Sequence, residues 1–322
     1  MRGADDGGST EFLQLFSSSG RSLAGKCVAW CGEVPPEESV PSMGAGDWAW
    51  FTPNLVAEVE SRGGTAVVNP PKFLGNFFRT CSDIKVLSDL HPEEQKRYVR
   101  VETADGFREF PHSEGNFFLH KEFMGRNCEE ANKVVTQAEE LLNIYRDECM
   151  EREPVFSLIS RASASYKFKT PEEERKFGYL AKRSISREEL ADILREYKPE
   201  HVKLLNITFD DKDSVVEGAE NATAFINDLA KKQGVEPVLG KKRGAFVEDT
   251  ILMKAVKAIL SVDTCTANIP ARMLGVQNYV FLAQEHNVRW HKLWALGAHL
   301  HIQSIAGDWE GPVCEALEAL DK

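Results

Sequence analysis

The sequence predicts an α/β fold built from two successive runs of alternating strands and helices. In segment 26–69, an apolar run, an amphipathic helix, a glycine pair and a second apolar run follow one another. The same alternation resumes at residue 155 and continues to residue 320. Strand, helix, glycine stop and strand in this order are typical of βαβ units and a parallel sheet. The length of 322 residues suits two domains of about 150 residues each.

Local signals define the elements of the first run. Lys26–Trp30 is a short apolar segment and predicts a strand. Pro53–Arg62 predicts a helix, with Thr52 at the N-cap position and the proline at the first helical position. Gly63-Gly64 would end that helix, and Thr65–Asn69 would follow as a buried strand.

Three further segments set the predicted domain limits. Residues 1–20 are rich in glycine and serine and predict a flexible lead-in. Apolar residues spaced three or four apart between 131 and 149 predict a long helix. The charged stretch ending at Glu153 is the candidate boundary, which gives domains at 21–153 and 154–322. Residues 84–128 indicate only loops and short strands.

The second run repeats the alternation. The predicted strands are Val155–Ile159, Val202–Ile207, Glu236–Leu239, Ala258–Val262 and Tyr279–Ala283. The predicted helices are Arg187–Tyr197, Asn221–Lys232, Asp249–Lys257, Ile269–Leu274 and Trp309–Leu320. Each run is long enough for its own doubly wound, Rossmann-like sheet. We therefore expect two such domains facing a cleft, with ligands bound at the carboxyl ends of the strands.

Composition narrows the classes of function. The net charge of −11 opposes non-specific binding to nucleic acid or anionic membranes, and no apolar run reaches the roughly 18 residues of a membrane span. Seven scattered cysteines without a CxxC pair favour a reducing intracellular compartment and argue against zinc. The first residues lack the apolar core of a signal peptide. The cytoplasm is the default compartment, and an organelle stays open if a presequence has been removed.

The sharpest chemical signal is the segment 261–275, SVDTCTANIPARMLG. The predicted strand ends at Asp263-Thr264, next to the start of a predicted helix. Backbone N–H groups at a helix N-terminus and the threonine hydroxyl can bind a phosphate or pyrophosphate. The alternative is that Asp263 and Thr264 simply cap the helix.

Two other loops carry candidate site residues. In GAGDWAW, residues 44–50, Gly44 and Gly46 allow a ligand to approach the backbone, and Asp47 could act as a general base. The alternative role of Asp47 is a favourable interaction with a helix dipole. In SRASASYKFK, residues 160–169, Arg161 and Lys167 suit phosphate oxygens. A solvated loop explains this composition equally well.

The histidines and aromatic residues indicate surfaces rather than a metal site. His299 and His301 lie two apart on a strand-like run without a third ligand at suitable spacing. The Trp/His loop at 286–294 and the Phe-rich segment at 107–123 are candidate partner surfaces or core segments.

Taken in order, these segments resemble the heptosyltransferase-like glycosyltransferases, particularly the branch often fused to tetratricopeptide repeats. Residues 246–281 resemble the carboxy-terminal nucleotide-sugar-binding segment of that family, and GDWEGPVCEALEAL at 307–320 resembles its closing helix. LAGKCVAWCGE, GAGD and SRGGTAVVNPPKFLGNFFR resemble its amino-terminal domain, and VFSLISRASASYK the start of its second domain. The resemblance covers most of residues 22–320, with 87–150 unmatched.

The resemblance implies a GT-B architecture and inverting sugar transfer from a nucleotide-sugar, without a metal or other cofactor. Asp47 would be the base, Asp263 and Thr264 would contact the donor, and Lys167 would contact its phosphate, with Arg161 nearby. Cys265 stands where the family often has glycine, and Asn268 stands where it has histidine. Besides a sugar- or nucleotide-binding sensor without turnover, two main hypotheses therefore remain open. One is an active transferase with an unknown acceptor, and the other is a degenerate pseudoenzyme retained as a subunit or scaffold of a complex.

Overall fold

A computed structural model of the chain describes most of the predicted elements. The described residues are 6–32, 45–79, 84–103, 105–106, 129–149, 155–159, 182–207, 216–239, 252–264, 275–286 and 298–320. The chain divides into two compact units, Met1–Glu129 and Glu130–Lys322. Within the described ranges, no helix is both long and apolar enough to cross a bilayer.

The first unit contains a parallel sheet of three strands. Its strands are β1 (Cys27–Cys31), β2 (Thr65–Asn69) and β3 (Val99–Glu102), and its helices are α1 (Asp6–Ser17), α2 (Ala45–Ser61), α3 (Lys72–Arg79) and α4 (Pro92–Gln95). The strand order is β2-β1-β3, and both β2 and β3 run parallel to β1. An isolated parallel bridge between Val68 and Val86 lies beyond β2. The predicted βαβ unit is confirmed.

Helix α2 begins earlier than the sequence predicts. It starts at Ala45, so Pro53 lies inside it and Thr52 is not the N-cap. Proline inside a helix removes a backbone hydrogen bond and costs about 3 kcal/mol. The burial of apolar surface in the first turns of the helix offsets this cost. Trp48 lies in the core, one helical turn before the equally buried Thr52. Tertiary packing of the first two turns therefore overrides the local stop signal.

The amino-terminal segment, predicted to be a flexible lead-in, forms helix α1 instead. Phe12 and Phe16 are buried and contact the Trp30 ring edge-on, with ring centroids 5.8 and 5.3 Å away. The guanidinium of Arg62 donates to the carbonyl oxygens of Leu15, Phe16 and Ser18 at 2.8–3.0 Å. Since the last carbonyls of a helix have no partner within it, Arg62 acts as the carboxy-terminal cap of α1.

The second unit contains a parallel sheet of six strands. They are β4 (Val155–Ile159), β5 (Lys203–Asn206), β6 (Glu220–Asn221), β7 (Ala258–Val262), β8 (Gln277–Leu282) and β9 (Ala298–Ile302). The helices are α5 (Glu129–Glu148), α6 (Arg187–Tyr197), α7 (Ala222–Lys232) and α8 (Glu310–Leu320). The spatial order is β6-β5-β4-β7-β8-β9. Numbered within this sheet, that order is 3-2-1-4-5-6, the arrangement of Rossmann sheets.

Strand β7 lies in the middle of the sheet and all five of its residues are buried. Ala258, Leu260 and Val262 pack in one apolar cluster with residues of α6 and α8. Residues 259 and 261 consequently face the opposite side of the sheet, because strand side chains alternate. The predicted helix at 249–257 is helical at 252–255 within the described residues.

Two sequence predictions differ from the structure of this unit. Glu236–Leu239 is irregular rather than a strand. The side-chain amide of Asn227 hydrogen-bonds the backbone of this segment in place of a neighbouring strand. It donates to the Leu239 carbonyl at 2.9 Å and accepts from the Leu239 N–H at 3.0 Å. Helix α5, placed before the boundary at 153, belongs to the second unit. Its Tyr145 packs edge-on against Phe225, with ring centroids 5.0 Å apart.

Candidate functional site

The candidate site lies at the carboxyl ends of β4 and β7. These strands are neighbours in the sheet, with Ile159 opposite Ser261. The chain runs outward from β4 through β5 to β6 on one side, and from β7 through β8 to β9 on the other. In open α/β sheets, ligands bind in the crevice outside the strand ends where this direction reverses. The two candidate loops, at 160–169 and 263–268, follow these two strands.

Asp263 and Thr264 occupy this position directly after β7. Both are buried, with 2% and 8% of their surface exposed. Ser261 lies two residues earlier and is completely buried. Its hydroxyl finds no hydrogen-bond partner in the part of the chain that the structure describes. Polar side chains thus collect at the end of an otherwise apolar strand, whereas a purely structural strand end has no need to bury a carboxylate.

Arg183 pairs with the buried carboxylate. Its Nη1 lies 3.2 Å from Oδ2 of Asp263, and their side chains are 11% and 3% exposed. Leaving one charge of such a pair buried and unpaired costs several kcal/mol, so the two side chains depend on each other. The pair is electrically neutral as a whole, and Arg183 is its more exposed member.

Sequence reasoning missed Arg183. It precedes helix α6, whose N-cap is Ser186 with its hydroxyl accepting from the Glu189 N–H at 3.1 Å. The only local signal is a Lys182-Arg183 pair just before a capped helix that follows a strand. Such pairs are ordinary surface features in most proteins. The partner carboxylate is 80 residues away, so no local pattern connects them.

The other predicted site residues are not brought together by the described structure. Gly46 and Asp47 are the second and third residues of α2 in the first unit, so Asp47 stands in the first helical turn. The remaining candidates lie outside the described residues. They are Gly44, Arg161, Lys167, Cys265 and Asn268. The Phe-rich segment at 107–123 and all of the Trp/His loop except His286 lie outside them as well.

In the first unit, the corresponding strand ends are closely packed. Gly32 follows β1, and a Cβ atom there would lie 2.4 Å from Cζ2 of Trp48 and 2.7 Å from Cδ of Pro71. Thr103, which follows β3, donates its hydroxyl to the Cys31 carbonyl at 3.2 Å. Apolar rings and backbone therefore fill the end of β1, which differs from the charged end of β7.

The two histidines of β9 take part in an aromatic stack. His299 and His301 lie on the Tyr279 ring at centroid distances of 4.8 and 5.9 Å. Nδ1 of His301 is 3.1 Å from Oε2 of Glu315, and burial raises the pKa of Tyr279. Across the described ranges, no group of three or more His, Cys, Asp or Glu side chains is arranged to hold a metal ion.

Comparison with known proteins gives one informative likeness. A crystal structure of the glycosyl transferase family 9 protein from Veillonella parvula is similar over 94% of this chain and 90% of that chain, with a TM-score of 0.50 and 10% identity. At this identity the likeness concerns the fold alone, which is glycosyltransferase-like. No family model matches the sequence. No curated protein matches it either.

Proposed function

We propose that this chain binds a nucleotide-sugar at the carboxyl end of the second sheet and is a glycosyltransferase or a descendant of one. The single observation that carries the proposal is the buried Arg183–Asp263 pair at the strand-order reversal of a 3-2-1-4-5-6 parallel sheet. The glycosyltransferase-like fold and the order of motifs in the sequence support it. Fold alone does not assign function, so the proposal depends on this site.

The chemistry of the site suits a nucleotide-sugar. Such a ligand carries a diphosphate, which needs positive charge and N–H donors, and sugar hydroxyls, which need hydrogen-bond partners. Arg183 provides charge-assisted N–H donors, with its formal charge balanced by Asp263, and Thr264 provides a hydroxyl directly after β7, whereas the Ser261 hydroxyl is completely buried. The acidic net charge of −11 is no obstacle, because the field within a crevice depends on its nearest charges.

If the protein is active, the proposed reaction is an inverting transfer that needs no metal. The acceptor hydroxyl oxygen attacks the anomeric carbon while the bond from that carbon to the diphosphate oxygen breaks. Asp47 takes the hydroxyl proton, and the nucleoside diphosphate leaves with the bonding electron pair. Lys167 and Arg161 would stabilise the charge that develops on the diphosphate.

The alternative is a glycosyltransferase fold retained as a subunit of a larger assembly. Two sequence features favour it, namely Cys265 and Asn268, which replace the glycine and histidine of the family it resembles. A structural observation also favours it. The exposed residues Ile302 and Ile305, 41% and 65% accessible, lie at and after the end of β9. β9 is the terminal strand of the described sheet, and apolar side chains beside a sheet edge suit a protein contact.

A thermal-shift titration with UDP-, GDP- and ADP-sugars tests the proposal on the full chain. We expect one nucleotide class to raise the melting temperature saturably, because a ligand that binds only the native state stabilises it. Asp263→Asn should strongly reduce that rise, whereas Lys182→Met, a substitution of an exposed neighbour of Arg183, should leave it unchanged. If no nucleotide-sugar shifts the melting temperature and the protein copurifies stoichiometrically with a complex, the subunit alternative replaces the binding proposal.

A further inference from the structure

The buried ion pair assigns different roles to its two members. Asp263 is 3% exposed and its carboxylate is engaged by Arg183, whereas 11% of the Arg183 side chain is exposed. Of the two side chains, that of Arg183 is therefore the less enclosed. The family resemblance implies the opposite assignment, in which Asp263 contacts the donor.

Electrostatics also favours contact of an anionic ligand with Arg183 rather than with Asp263. An anionic ligand that approaches a bare Asp263 carboxylate is repelled, and repulsion between like charges is strong where solvent is largely excluded. With Arg183 between them, the charge at the end of β7 is balanced. A guanidinium is planar, stays protonated and can bind two oxyanions along different edges of its plane. Arg183 can thus connect the Asp263 carboxylate to a phosphate.

The position of the pair on the chain restrains the guanidinium. Arg183 lies two residues before Ile185, which is buried in the apolar cluster under α6. Three residues after Arg183, the Ser186 cap fixes the first turn of α6. Asp263 directly follows the fully buried strand β7. Both partners are therefore anchored to rigid elements, which is how a site holds a charged group before its ligand arrives.

We propose that Arg183 contacts the diphosphate of the ligand and that Asp263 is a positioning residue that holds Arg183 in place. This inference rests on the proposed function for the identity of the ligand as a nucleotide-sugar. The diphosphate-binding role itself depends only on the anion. It can therefore be tested with inorganic pyrophosphate, separately from the nucleotide.

The first experiment measures the binding of inorganic pyrophosphate to the full chain by isothermal titration calorimetry. Wild type should bind it saturably, and Arg183→Met should weaken binding about tenfold or more, the usual effect of losing a charge-assisted hydrogen bond. Arg183→Lys should recover part of the affinity, because it restores the charge without the planar fork. The matched control, Lys182→Met, removes an exposed charge one residue away and should bind like wild type.

The second experiment separates positioning from direct contact through a double-variant cycle. If Asp263 acts only through Arg183, Asp263→Asn should weaken pyrophosphate binding in wild type and change nothing further in the Arg183→Met background. The double variant Arg183→Met/Asp263→Asn also removes the unpaired buried charge, so it remains testable if the single variant unfolds. Additive losses from the two substitutions would show that Asp263 contacts the ligand itself and would overturn the assignment.

The outcomes distinguish this inference from the proposed function. If pyrophosphate binds and depends on Arg183 while no nucleotide-sugar binds, the anion site stands and the nucleotide-sugar proposal fails. If a nucleotide-sugar binds with an affinity that Arg183→Met leaves unchanged, the proposed function stands and this inference fails. If pyrophosphate does not bind wild type, the diphosphate-binding role of Arg183 is wrong.

Discussion

The two parallel sheets of this chain differ at the carboxyl ends of two interior strands, β1 and β7. Beyond β1 in the first unit, Gly32 packs against Trp48 and Pro71 so closely that even a methyl group would not fit. Beyond β7 in the second unit, a carboxylate and a guanidinium are buried as a pair. Both sheets are parallel, and both β1 and β7 have a paired strand on each side, yet one end is packed and the other is charged. The fold provides the position of a site, and the residues there decide whether it becomes one.

Removing Arg183 from the charged end of β7 should reduce the stability of the protein more than any other substitution considered below. Arg183→Met leaves Asp263 buried without its partner, so the free energy of unfolding should fall by about 3–5 kcal/mol. Urea denaturation measures the change. The double variant with Asp263→Asn removes the unpaired charge and should recover a substantial part of the loss. If the single and double variants are equally unstable, the pair is not the main cause of the destabilisation.

A smaller effect is expected from uncapping α1 in the first unit. Arg62→Ala removes the donors to three carbonyl oxygens at the end of that helix, and we expect a loss of about 2–3 kcal/mol. Hydrogen exchange should then show α1 opening before the sheet does. Lys26→Ala is the control. The partner of Lys26 is Glu11, an exposed residue of α1, so this substitution should change the protection of α1 little. Unchanged protection of α1 in Arg62→Ala would contradict the capping role.

The packed end of the first sheet gives the next prediction. Gly32→Ala places a methyl group 2.4 Å from the Trp48 ring, so we expect a loss of about 1–3 kcal/mol from overpacking. Gly7→Ala is the control, since nothing lies within 4 Å of a Cβ atom there. Thermal denaturation measures both variants. Gly32→Ala should leave the affinity for pyrophosphate unchanged, and a loss of that affinity would mean that the two ends are not independent.

The exposed ion pair between Arg79 and Asp89 should contribute least to stability, and it can be compared with the buried pair. Arg79 donates three hydrogen bonds to the Asp89 carboxylate, from Nε to Oδ1 and Oδ2 at 3.1 and 2.9 Å and from Nη2 to Oδ1 at 2.8 Å, but both side chains are nearly half exposed. Solvent screening limits such a pair to about 0.5–1 kcal/mol. Arg79→Met should therefore cost far less than Arg183→Met, as measured by urea denaturation at pH 7.

The exposed pair also predicts a pH dependence. The hydrogen bond from Arg79 lowers the pKa of Asp89 in the folded state. Its stabilising contribution is therefore complete above the unfolded pKa of about 4 and disappears as the pH falls through the lower folded value. The stability difference between wild type and Arg79→Met should vanish in the same acidic range. A difference that persists at low pH would mean that the side chain acts through packing.

The sequence predicts the sheets better than it predicts the site. Strands β2, β4 and β7 have the predicted bounds, because buried parallel strands are continuous apolar runs bounded by turn residues. Helix α6 does too, since its Ser186 cap is a local signal. The predicted start of α2 at Pro53 was wrong, because the burial of Trp48 outweighs the preference of proline for the first position of a helix.

The site depends on distant contacts, which local patterns do not contain. Asp263 and Thr264 could be named as candidates because they end a recognisable strand, and their role in binding stays a prediction. Arg183 was missed because its role depends on a carboxylate 80 residues away. The assignment of Asp47 as base remains a prediction, since it concerns the first unit and rests on the resemblance alone.

We propose that the charged end of the second sheet binds a nucleotide-sugar, and this binding can be measured directly. Isothermal titration calorimetry with UDP-, GDP- and ADP-sugars on the full chain tests it most directly. We expect saturable one-to-one binding of one of these classes, strongly weakened in Asp263→Asn and retained in Lys182→Met. Absence of binding to wild type, or binding that Asp263→Asn leaves intact, would contradict it.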